Sequence, residues 1–71
     1  MRAEEKKLRV DLLKAQVTLA NIRYSEKEWS QWIGKYVSKA YVKENFTSKI
    51  PAAEARVARR IKALLDAGYQ L

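Results

Sequence analysis

Val17-Thr18-Leu19-Ala20-Asn21-Ile22-Arg23-Tyr24, followed at once by Ser25-Glu26-Lys27-Glu28-Trp29, is the stretch on which the fold turns. Read at 3.6 residues per turn, Leu19 and Ile22 continue a face begun by Leu8, Leu12 and Ala15. Val17, Ala20 and Tyr24, with Val10 and Leu13, make a second apolar row on roughly the opposite face. A helix that is apolar on both sides must be covered on both sides. One face packs on the rest of the chain. The other, with Leu13, Val17 and Ala20 at its middle, is left for a second copy or for another protein.

Read at period two, the same stretch gives a different structure. Ala20, Ile22 and Tyr24 alternate with Asn21 and Arg23, and the segment from Gln16 is richer in β-branched and polar residues than Arg2 to Ala15. Asn21-Ile22-Arg23-Tyr24-Ser25 resembles the strand end and helix cap of the ribbon-helix-helix repressors. That resemblance implies a dimer in which a short strand at about 17–24 pairs with its copy. Leu19, Asn21 and Arg23 then face outward to read the DNA major groove. The primary expectation is an all-α, mostly helical fold of about three helices, a helical hairpin plus an N-terminal helix, in a single domain over 1–71. The ribbon-helix-helix-like dimer is the alternative.

Downstream, Ser25 and Glu28 have the spacing of a capping box, with Tyr24 and Trp29 placed as a hydrophobic staple. They predict that the first helix, from about Ala3, stops at Tyr24 and a second runs from Glu26 to about Asn45. Trp29, Ile33, Tyr36, Val37 and Ala40 would form its buried stripe, with Trp32 and Tyr41 at the edges. A short link, Phe46 to Ile50, leads to a third helix from about Pro51 to Ala67, in which Val57, Ile61, Leu64 and Leu65 face inward. Pro51 suits a first turn, where its missing N–H costs nothing, and Gly68-Tyr69 reads as a left-handed C-cap with an apolar contact behind it.

Composition narrows the function. With 71 residues the chain is one domain whose stability margin is thin. It has no cysteine and no histidine, which removes disulfides, thiolate metal sites, the commonest general base and the most reactive nucleophile. Its glycines, Gly34 and Gly68, cannot form a phosphate-cradling loop. No catalysis, cofactor or metal is therefore expected. The N-terminus lacks a signal core and no apolar run is long enough to span a bilayer, which points to a cytoplasmic product in a reducing compartment, with no membrane partner. A net charge of +7 favours a polyanionic partner.

The excess charge is concentrated in the second and third segments. Lys35, Lys39 and Lys43 are spaced four apart, along one edge of the expected second helix, with Trp32 and Tyr36 beside them. Arg56, Arg59 and Arg60 share a face of the third, with Lys49 just before it. These residues are the candidate phosphate contacts, Trp32 a candidate base-stacking residue, and Asn21 and Arg23 weaker candidates for base contact. Glu44 and Glu54 are expected to pair with a cation of another helix or chain. The expectation is a DNA-binding regulator of transcription or accessory factor acting as a homodimer, with DNA weakly favoured over RNA. The alternative is a non-enzymatic protein-interaction module that docks through an amphipathic helix.

Overall fold

Helix α1 runs unbroken from Ala3 to Ser30, through the whole of 17–24. The computed structural model describes residues 2–71, and among these no strand element forms; one isolated bridge joins Ile33 to Val37. The fold is all-α, and the ribbon alternative is overturned. The cause is continuity: the row Leu8, Leu12, Ala15, Leu19 and Ile22 continues through Glu26 to Trp29 at the same spacing of three and four. Pairing as a strand would break a face that buries Ala15 and Leu19. Glu4 and Glu5 in the first turn favour the positive end of the helix dipole.

Ser25 lies within α1 and caps nothing, so the expected boundary at Tyr24 and the helix from Glu26 to Asn45 are both corrected. The break comes later, over 31–38. Gly34 takes φ +88 there, a conformation open to glycine and strained for other residues. The Trp32 carbonyl accepts from the N–H groups of Lys35 and Tyr36 at 3.0 Å and of Val37 at 3.3 Å, which closes the turn. Ser38 then supplies the true cap: its hydroxyl accepts from the Tyr41 N–H at 3.0 Å and starts α2, Lys39–Asn45. The helix from Ala3 to Asn45 that would result without this turn would be about 65 Å long and mostly unpartnered. Folding back lets Val42 become buried against the end of α1.

A single 3-10 turn, Thr47–Lys49, joins α2 to α3, Ile50–Asp66. Pro51 has no N–H to offer the Thr47 carbonyl, which accepts instead from Ile50, one residue earlier, and this tightens the turn. At the far end Gly68, φ +89, donates to the Leu65 carbonyl at 2.9 Å and Tyr69 donates to the Leu64 carbonyl at 3.2 Å. These are the two bonds of a Schellman motif, as Gly68-Tyr69 foretold.

The result is a two-armed hairpin: α1 is one arm, and α2, the 3-10 turn and α3 form a bent second arm. The arms are antiparallel. Arg9 near the start of α1 reaches the Gln70 carbonyl at 2.8 Å, and Arg23 near its end reaches Glu54 at 3.1 Å. The core is Ala15, Leu19, Val42, Ala53 and Leu64, of which Leu64 is fully buried. Trp29, Tyr41 and Phe46 close the corner through edge-on ring contacts, at 6.0 Å between Trp29 and Tyr41 and 6.3 Å between Tyr41 and Phe46. The molecule measures 50 × 17 × 14 Å. No helix among the described residues is long and apolar enough to cross a membrane.

Candidate nucleic-acid interface

The antiparallel arms meet through small residues, Ala15 on α1 against Ala52 and Ala53 on α3, and small side chains leave a groove along one side of the contact. Two adjoining hollows of about 230 and 160 Å³ share Ala15, Thr18 and Arg56. Lys49, Arg56 and Arg59 line the first; Lys14, Arg56 and Arg60 line the second. Arg56, Arg59 and Arg60 reach one side of the groove because they are spaced three and four apart on α3, next to its buried face. Lys49 enters from the 3-10 turn and Lys14 from α1.

The groove is strongly cationic. Asp11 is the one carboxylate among its described lining residues. The ion pairs among the described residues are Arg9–Glu5 at 2.8 Å and Arg23–Glu54 at 3.1 Å, neither of which draws on a groove cation. Like charges held together in this way are relieved by an anion, and arginine offers a phosphate two parallel donors. Thr18 turns its hydroxyl back to the Lys14 carbonyl at 3.0 Å, leaving the groove floor formed largely by alanine and aliphatic surface.

Other candidates lie elsewhere. Lys35 sits in the 31–38 turn, so the expected helical row of Lys35, Lys39 and Lys43 does not exist; Lys39 and Lys43 alone share a helix, α2. Those two border an apolar hollow of about 470 Å³ at the corner, with Ile33, Ala40 and Val42. Trp32 also belongs to the turn and packs on Tyr36 at 5.3 Å between ring centres, away from the arginines. Asn21 is exposed on α1, and Arg23 is engaged by Glu54 on the side of the hairpin opposite the groove. Glu54 thus has the interhelical partner expected of it, whereas Glu44 is exposed and in neither ion pair. Lys14 was missed by sequence reasoning because only the pairing of α1 with α3 brings it beside Arg56 and Arg60.

No group of three or more metal-ligating side chains comes together among the described residues. Comparison of the chain with protein-family models, with curated proteins and with solved structures finds no match to any of them.

Proposed function

We propose that this chain is a non-enzymatic nucleic-acid-binding protein that holds the phosphate backbone of duplex DNA in the groove between α1 and α3, as a small regulator or accessory factor acting as a homodimer. The observation that carries the reading is the convergence of Lys14, Lys49, Arg56, Arg59 and Arg60 on one groove from three separate elements, opposed by Asp11 alone. Each cation brought to a phosphate releases condensed counterions, which makes binding favourable and salt-dependent. The lining residues include no aromatic ring, so the groove offers no platform for an unpaired base; this supports a duplex over a single strand. Contacts to phosphate position a protein without reading sequence, which fits an accessory role.

Fluorescence anisotropy with a labelled duplex tests the reading. Five engaged cations imply a log-log salt slope of about −4.5 per chain, so affinity should fall roughly 500-fold between about 50 and about 200 mM salt. No binding at the lower concentration, or affinity indifferent to salt, contradicts it. The second reading, docking of a different protein, draws on the apolar row of α1 that faces away from α3, where Leu13 is 59% and Val17 49% exposed. The two surfaces are separate, and substitutions in one leave the other intact.

A further inference from the structure

The row Val10, Leu13, Val17, Ala20 and Tyr24 runs along α1 opposite the face that packs on α3, and all of it is exposed, Tyr24 to 66%. We infer that a second copy of this chain docks there with its own α1 antiparallel, joining the two hairpins side by side along their first helices.

Surface area points to an occupant. The chain exposes 5549 Å², whereas a compact monomer of 8.2 kDa exposes about 4,500 Å². The excess of about 1,000 Å² is close to the roughly 800 Å² that each partner contributes to a standard interface. The same shortfall shows in shape: the radius of gyration is 15.8 Å, against about 11 Å for a compact domain of this length.

Spacing and charge select the occupant and its direction. The row alternates steps of three and four, the seam pattern by which one helix meets another of the same kind. The same register continues to Lys6 at one end and Lys27 at the other. Parallel, in-register docking would set Lys6 against Lys6 and Lys27 against Lys27 and place Arg9 beside Lys14, like charges that outnumber the one favourable pair, Arg23 beside Glu28. With the helices antiparallel and Val17 over Ala20 of the second copy, Leu13 meets Tyr24 and the aliphatic stem of Lys27 covers Val10. Lys7 then lies beside Glu28, and no two like charges stand directly opposite each other across the seam.

Antiparallel docking also fixes where the basic grooves go. The twofold axis relating two antiparallel helices is perpendicular to the plane that contains them, and it keeps each side of that plane on the same side. Both grooves therefore open on one face of the dimer, whereas parallel docking would turn them to opposite faces. Use of this face by DNA rests on the function proposed above; the docking does not.

Sedimentation equilibrium without nucleic acid tests the docking. The expected mass is twice 8.2 kDa, with dissociation constants raised at least tenfold by Tyr24→Lys and mostly monomeric chains for Leu13→Lys with Val17→Lys. Tyr24 is too exposed to matter within one chain, so it keeps the test decisive if the double variant unfolds. Spin labels on Glu4→Cys should lie about 45 Å apart along the seam in the antiparallel dimer, and within about 20 Å in a parallel one. A monomeric chain, which leaves the row to a different protein, or a dimer indifferent to Tyr24→Lys, or the short distance, overturns the proposal. DNA binding by a monomer would overturn the docking, and the homodimer with it, while leaving the groove as the DNA contact; a dimer that ignores DNA would overturn the DNA contact and leave the docking standing.

Discussion

Arg23 and Glu54 meet at 3.1 Å across the two arms of the hairpin, on the side away from the basic groove. Both side chains are about half exposed, at 56% and 51%, so the pair marks the register of the arms more than it stabilises them. Replacing either by alanine should cost only about 0.2–1 kcal/mol in urea unfolding, less at high salt. Arg23→Ala should leave DNA affinity close to wild type; a loss as large as that for Arg56→Ala would restore Arg23 as a contact residue.

The capping serine distinguishes the observed helix boundaries from those that Ser25 and Glu28 imply. Ser38→Ala removes the acceptor for the Tyr41 N–H and should destabilise the chain by about 1 kcal/mol. Ser25→Ala replaces a serine inside α1 with a better helix former and should change stability by no more than about 0.5 kcal/mol. Thermal unfolding of the two variants side by side checks this, and the reverse order would place the helix start at Ser25 after all.

Gly34 and Gly68 both hold positive φ, with open space where a Cβ would go. Alanine at either position should therefore cost about 1–2 kcal/mol through the backbone alone. D-alanine, introduced by chemical synthesis, should be tolerated at both. A steric origin would make the two enantiomers equally harmful.

Leu64 is the one fully buried large side chain among the described residues, in a core of five residues. Leu64→Ala should cost about 2–5 kcal/mol. In so small a domain that is enough to abolish the cooperative melting transition followed by circular dichroism.

How far the sequence revealed this fold depends on the kind of signal at each place. The Leu8 to Ile22 face and the Gly68-Tyr69 cap were legible because each is decided locally, by periodicity and by one backbone conformation. Ser25 misled because a serine three residues before a glutamate also occurs within helices, and only the continuing face through Glu26 and Trp29 overrules it. Ile33, Tyr36 and Val37 imitate helical spacing inside a turn; Gly34 and Ser38 were the signals that mark it. The Arg56, Arg59 and Arg60 cluster could be read from one helix. Its neighbours Lys14 and Thr18 could not, since they join it only when α1 and α3 pack.

The groove itself is tested by moving the same amount of charge in two places. Arg56, Arg59 and Arg60 changed together to glutamine, and Lys35, Lys39 and Lys43 changed together to glutamine, lower the net charge equally. The salt dependence of duplex DNA binding by each triple variant is then compared with wild type. The arginine variant should lose about 2.7 from the log-log slope, while the lysine variant should lose less than about 1. Equal losses would mean that net charge alone draws the chain to DNA, and a larger loss for the lysine variant would move the interface to the corner; either result contradicts binding in the α1–α3 groove.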